Sequence, residues 1–309
     1  MKKDKQQFNI GVDVGGSHIS GGIIDMHSYK LLPKSWITRE IDPDQGKEVI
    51  LRTWSQLLNG LLDQIGQRPL GGIAFAMPGP FDYPGGIAKY KGNAKYEKLY
   101  NVSVREALKQ RLQRPEVKLQ FFNDATCFGT GAGILLGSTP RRVVGLTLGT
   151  GFGSVFLNHG IPLLEGPGIP KNGSLWSLPF KEGMVDDYFG TRWFQKEFQE
   201  RTGRKVAGVK EMIETRDKAV QRIFDEYAEN LASFTLTYLE QFQASELWLG
   251  GNIIKSHPYF LPQLQHLLDR SGLPIKIRTF SETEKCNMLG ASRLMQLDYW
   301  SAHTPNDYF

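Results

Sequence analysis

Apolar and polar positions alternate in two separated stretches of the chain, and between and after them they recur at helical spacing. Residues 8–25 read Phe-Asn-Ile-Gly-Val-Asp-Val-Gly-Gly-Ser-His-Ile-Ser-Gly-Gly-Ile-Ile-Asp, and residues 143–158 read Val-Val-Gly-Leu-Thr-Leu-Gly-Thr-Gly-Phe-Gly-Ser-Val-Phe-Leu-Asn. Each is an alternating strand, a turn of glycine and hydroxyl residues, and a second strand, which is the pattern of a β-hairpin. Laid over one another, Thr147 falls on Asp13 and Gly149 on Gly15. Such an internal repeat predicts two similar domains.

After the first hairpin, Ile50, Trp54, Leu57, Leu58, Leu61, Leu62 and Ile65 form a helical stripe over 46–65, which Gly66 stops. Residues 72–77 predict a buried strand ending in Pro78-Gly79-Pro80. Ser103 with Glu106 is a capping-box pair for a helix reaching about residue 112, and 119–122 is a strand broken by Asn123-Asp124. In the second half, Val220, Ile223, Phe224, Tyr227, Leu231, Phe234, Tyr238 and Phe242 line one face of a long helix over 217–242. Residues 247–249 are a strand delivering Gly250-Gly251-Asn252, 275–280 alternate as a strand, and Ser281 with Glu284 predicts the cap of a last helix. The Gly- and Pro-rich residues 159–185 predict an irregular excursion, often functional at this length. The sequence therefore predicts an α/β duplication: one domain over 1–118, a second over 119–289, and a last helix at about 290–309 that packs back on the first.

A length of 309 residues suits two moderate domains, and 40% hydrophobic with 22% charged residues is the balance of a soluble globular protein. The formal net charge of +5 raises the question of nucleic acid, but Lys and Arg are scattered and build no basic stripe interleaved with aromatics. Attraction of an anionic substrate is a sufficient use of that charge. The two cysteines, Cys127 and Cys286, match no metal-site spacing, and a reducing cytoplasmic compartment follows as the expectation. The first residues contain no signal-peptide core, and no apolar run approaches the ~20 residues that span a bilayer.

The turn Asp13-Val14-Gly15-Gly16-Ser17-His18 sets a carboxylate before two glycines and a hydroxyl. Backbone N–H groups of glycine can approach a phosphate closely, and an acid beside them can organise hydrated Mg²⁺. A tight hairpin turn uses the same residues for positive φ and local hydrogen bonds. The second turn, Gly149-Thr150-Gly151-Phe152-Gly153, tips the balance, because two phosphate-competent hairpins in equivalent places are hard to explain as turns alone. Asp124 closes a strand, where ligands of α/β sheets usually bind; Asn123-Asp124 can equally serve as a helix N-cap.

Taken together, these motifs resemble the ROK family of sugar kinases and repressors, within the sugar kinase, Hsp70 and actin superfamily. Asp13-Val14-Gly15-Gly16-Ser17-His18 resembles the family's first phosphate motif, Asp-x-Gly-Gly-Thr-Lys, and Pro78-Gly79-Pro80-Phe81-Asp82 its Pro-Gly-Pro-Val-Asp loop, with Asn93 in the place of the following sugar-binding Asn. Asn123-Asp124-Ala125 matches the catalytic motif, Gly149-Thr150-Gly151-Phe152-Gly153 the second phosphate motif, and Gly250-Gly251-Asn252 the adenosine-side glycines. The resemblance implies an actin-like ATPase (ribonuclease H-like) fold of duplicated domains with a cleft between them, in a homodimer. It implies ATP with Mg²⁺ near Asp13, and Asp124 as the base for a hexose or N-acetylhexosamine hydroxyl. Gly79, Pro80, Asn93, Asn123 and Asp186 are then the sugar-side residues.

Departures from the family pattern accompany the matches. Family members commonly carry Gly-Glu-x-Gly-His, a zinc-binding cysteine cluster and a sugar-contacting Glu, where this chain has Lys171-Asn172-Gly173-Ser174-Leu175-Trp176 and then Glu182 to Tyr188. No zinc is expected, Asp186 best matches the final Glu with Glu165 as a nearby alternative, and Trp176 is expected to be a buried structural residue, with stacking on a sugar face as its alternative role. His18 stands where the family has Lys, and the other five histidines show no ligand spacing. About seven residues precede the first strand, too few for the repressors' DNA-binding helices. A catalytically reduced sugar sensor is the rival reading, and the presence of both Asp13 and Asp124 favours the enzyme.

Overall fold

The computed structural model describes residues 7–92, 95–138 and 140–296. They fall into two compact units, one made of the residues up to 138 together with those from 284 onward, the other of the residues in between, up to 283.

In the first unit, β1 (Phe8–Val14) turns back into β2 (His18–Asp25), followed by β3 (Lys30–Leu31), β4 (Ile37–Glu40), α1 (Lys47–Ile65), β5 (Leu70–Met77), a small hairpin of β6 (Phe81–Asp82) and β7 (Ile87–Ala88), α2 (Val104–Lys109), β8 (Leu119–Asn123) and α3 (Asp124–Leu136). The sheet runs β3-β2-β1-β5-β8, with β4 also on β2. Strand β1 is antiparallel to β2 and parallel to β5, and β5 is parallel to β8. Every residue of β1 is buried, as expected of a strand covered on both faces.

The second unit repeats that plan. Its strands β9 (Arg142–Leu148), β10 (Phe152–Asn158) and β11 (Ile161–Leu163) lead through β12 (Pro179–Phe180), β13 (Gly183–Met184), α4 (Val185–Phe189), α5 (Thr191–Thr202), α6 (Val209–Glu214) and α7 (Ala219–Phe242) to β14 (Glu246–Gly250), α8 (Leu261–Arg270) and β15 (Lys276–Thr279). The order β11-β10-β9-β14-β15 reproduces β3-β2-β1-β5-β8, with the same antiparallel hairpin and the same two parallel pairs. The stripe read on 217–242 is the buried face of α7, which contributes Ile223, Phe224, Tyr227, Leu231 and Phe234 to the core of this unit. The last helix, α9 (Thr283–Leu294), belongs to the first unit from Glu284 onward.

Three expectations are corrected. Residues 119–138 belong to the first unit rather than the second, because β8 takes its register from β5, with Phe75 opposite Phe121 and Met77 opposite Asn123. Helix α2 ends at Lys109, although Ser103 does accept a hydrogen bond from the Glu106 N–H (3.3 Å). The last helix spans 283–294, and residues 297–309 lie outside the described residues. The carboxylate of Glu284, near the start of that helix, accepts from Ser20 Oγ at 2.7 Å and pairs with His18 Nε2 at 3.2 Å.

Candidate active site

The first hairpin closes between the paired residues Val14 and Ile19, and the intervening turn is held by the Gly15 N–H donating to the His18 carbonyl at 2.9 Å. Asp13, the penultimate residue of β1, is buried and accepts a hydrogen bond from Asn287 Nδ2 of α9 at 2.8 Å. Burial pushes its carboxyl up to about 7, opposed by the Asn287 bond and reinforced by the charges of Glu284 and Asp124. One turn earlier on α9, Glu284 holds His18 and Ser20, so positions 284 and 287 of one helix face grip both strands of this hairpin.

Strand β8 ends in Asn123, and Asp124 is the first residue of α3. The cap of α3 is Asn123, whose Oδ1 accepts from the Thr126 N–H at 3.1 Å. Its amide nitrogen donates to Asp124 Oδ1 (3.2 Å) and to the Tyr83 hydroxyl (3.1 Å), which leaves Asn123 saturated within the protein. Asp124 Oδ1 also accepts from the Ala125 N–H at 2.8 Å. Burial raises the Asp124 carboxyl to about 6, and the Ala125 bond and the Lys95 ammonium hold it back. The capping duty that could have explained Asp124 is thus performed by its neighbour.

The Gly79-Pro80 loop joins β5 to β6, with a cis peptide between the two residues. Tyr90 Oη donates to the Pro78 carbonyl at 3.1 Å, and Tyr83 connects the loop to Asn123. Asn93 lies outside the described residues.

In the second unit the hairpin closes between Leu148 and Phe152, and Gly149, Thr150 and Gly151 form its turn. Gly251, at φ 93°, packs on the end of β9 so closely that an added Cβ would lie 2.2 Å from the Leu148 carbonyl oxygen. That approach sets Gly250-Gly251-Asn252 beside the second turn, where the Gly251 N–H donates to Thr283 Oγ1 at 2.7 Å. Asp186 accepts from the Phe152 N–H (2.7 Å) and from Arg192 (2.9 Å). Its carboxylate therefore serves the turn and α5 in this unit. Glu165 is exposed. Trp176 is 44% exposed, contrary to the expectation of burial, because Leu175 takes the inward position at that point of the loop.

Sequence reasoning passed over Lys95, Tyr96 and Asn287 and read Glu284 only as a helix-capping residue. The Tyr96 hydroxyl donates to the Gly15 carbonyl at 2.6 Å, and its phenol stays protonated because burial and Asp13 raise it. Lys95 and Tyr96 stand where no period or spacing marks them, and Glu284 and Asn287 carry no site signal beyond their helical spacing. Asp13, His18 and Glu284 offer ligand atoms within 4.8 Å of one another, and two buried or half-buried carboxylates are oxygen donors of the kind that suits a hard divalent cation such as Mg²⁺. Among the described residues, no helix is long and apolar enough to cross a membrane.

The sequence is similar, at 24% identity over 93% of this chain and 96% of the other, to a glucokinase from Thermotoga maritima. A polyphosphate glucokinase from Mycobacterium tuberculosis is 28% identical over 50% of this chain and 55% of its own length. A ROK family glucokinase from Streptomyces griseus, solved with glucose and AMPPNP, superposes with a TM-score of 0.73 over 93% of this chain and 98% of its own, at 16% identity. The duplicated sheets are those of the two-domain, actin-like ATPase fold found in ROK sugar kinases. The ROK family model matches residues 9–169, and the chain belongs to the ROK family.

Proposed function

We propose that the chain is an ATP-dependent sugar kinase that phosphorylates the 6-hydroxyl of a hexose or N-acetylhexosamine, with Asp124 as the general base. The observation that carries this reading is the state of Asp124: a half-buried carboxylate directly after β8, relieved of capping by Asn123, with desolvation raising it to about 6. A base tuned toward neutrality is suited to accept a proton during attack. The sugar oxygen forms its bond to the terminal phosphorus as its proton passes to Asp124 Oδ. The bond from that phosphorus to the bridging oxygen breaks, and ADP leaves with the electron pair.

The two glycine turns, at 15–18 and 149–151, supply backbone donors for phosphate oxygens. Asp13 and Glu284 would hold the Mg²⁺ that accompanies ATP, which supplies neutralising charge to those oxygens. On the sugar side, the Gly79-Pro80 loop and Asn93 are the assigned contacts; Asn123 positions Asp124 through its amide, and Asp186 supports the second turn. The homodimer implied by the family belongs to the same reading and is checked by sedimentation.

The test is ADP release across glucose, mannose, fructose, N-acetylglucosamine and N-acetylmannosamine, with polyphosphate as a second donor because one similar protein is named for it. Saturable turnover with one of these sugars is expected. Binding of a sugar without turnover by either donor would contradict the kinase reading.

A further inference from the structure

We propose that Lys95 is a catalytic residue whose ammonium contacts the terminal phosphate of the phosphoryl donor at the first glycine turn. The inference rests on the kinase reading above and adds to it the cation that meets the transferred group.

Three observations carry it. A Cβ added at Gly16 would lie 2.9 Å from both Cε and Nζ of Lys95, so the ammonium lies directly over the backbone of the turn, on the side a side chain would occupy. The chain is fixed there by the next residue: the Tyr96 hydroxyl donates to the Gly15 carbonyl at 2.6 Å, its N–H donates to the Pro43 carbonyl at 3.2 Å, and its ring packs edge-on against Trp54 at 5.6 Å. The same ammonium also acts on the proposed base, since it is the cation that opposes the rise in the Asp124 carboxyl. One positive group thus addresses both the phosphate turn and the base.

The electrostatics require such a group. Asp13 is buried, Asp124 is half-buried, and the charge of Asp124 raises the Asp13 carboxyl, so an incoming polyanion meets acidic groups of its own sign. His18 is drawn sideways to Glu284 at 3.2 Å, away from that duty. Lys95 offers three donors on a flexible stem and can follow the phosphoryl group as it moves from the leaving oxygen to the sugar oxygen. No proton leaves Lys95; it stabilises charge on the equatorial oxygens, where preorganised positive charge is most effective.

The test compares ATP, inorganic tripolyphosphate and AMP as calorimetric probes on the full chain, wild type against Lys95→Met, Lys95→Gln and Lys95→Arg. A charge-assisted contact of about 1.5–3 kcal/mol predicts that ATP and tripolyphosphate bind at least about tenfold more weakly to the Met and Gln variants. AMP should bind all four proteins alike, and Lys95→Arg should recover most of the loss. Wild-type ATP affinity in the Met and Gln variants would overturn the role of Lys95 while leaving the kinase reading intact. Equal weakening of AMP and ATP would show a structural role and would also overturn it. A wild-type chain that binds neither ATP nor tripolyphosphate would remove the kinase reading and this inference together.

Discussion

Asn287 of α9 donates a 2.8 Å hydrogen bond to Asp13 of β1, although 274 positions of chain separate them. The last helix thereby holds the acid before the first glycine turn, and Glu284, three residues earlier, holds Ser20 and His18 on the partner strand.

Replacing Asn287 with Ala should leave a buried carboxylate without its donor, at a cost of about 1–3 kcal/mol. Urea unfolding should show that loss, and MgATP affinity should fall with it because Asp13 becomes harder to ionise. Asn287→Asp, which sets a second acid against Asp13, should be worse on both counts. Unchanged stability and affinity in both variants would refute the linkage.

Gly131 of α3 and Gly290 of α9 form a reciprocal contact. A Cβ on Gly131 would lie 1.8 Å from the Cys286 carbonyl oxygen, and one on Gly290 would lie 1.8 Å from that of Cys127. Helix propensity favours Ala over Gly by about 1 kcal/mol, whereas overpacking against a backbone costs ~1–3 kcal/mol or more. The clash should win, so Gly131→Ala and Gly290→Ala should each lower the denaturation midpoint. A raised midpoint would mean that the helices separate easily.

Local pattern carried much of the fold into the sequence. Both hairpins, α1 with its Gly66 stop, and the buried stripe of α7 follow from residues within one element. What escaped depends on pairing across the chain. Residues 119–138 escape the sequence reading because β8 finds β5 only in three dimensions, and no local pattern tells that the carboxylate of Glu284 meets Ser20 and His18, 264 and 266 positions away. At the candidate site, the glycine turns and Asp124 stand in readable motifs. Lys95 does not, because a single lysine in an irregular loop has no period or spacing to mark it.

The acid side of the pH profile follows from Asp124. Burial raises its carboxyl from 3.8 to about 6, so the protonated form, which cannot accept the sugar proton, dominates below that value. The catalytic efficiency kcat/KM should therefore fall as pH drops through about 6. Lys95 lowers this carboxyl, and Asp13 is the acid that shares its electrostatic surroundings. Lys95→Met should accordingly displace the acid limb to higher pH. A limb near pH 4, or one unmoved by Lys95→Met, would contradict the assignment.

Asp124→Asn is the most direct test of the account. The variant keeps the size and hydrogen-bonding shape of the side chain, and α3 keeps its Asn123 cap, so only ~0.3–1 kcal/mol of helix-dipole stabilisation is at stake. Loss of a general base typically costs ~10²–10⁴ in rate. Single-turnover transfer from ATP to the preferred sugar should slow at least about a hundredfold, while calorimetry shows ATP affinity little changed. Turnover near that of the wild type would contradict the account, because a group that can be neutralised without loss of rate is not the base.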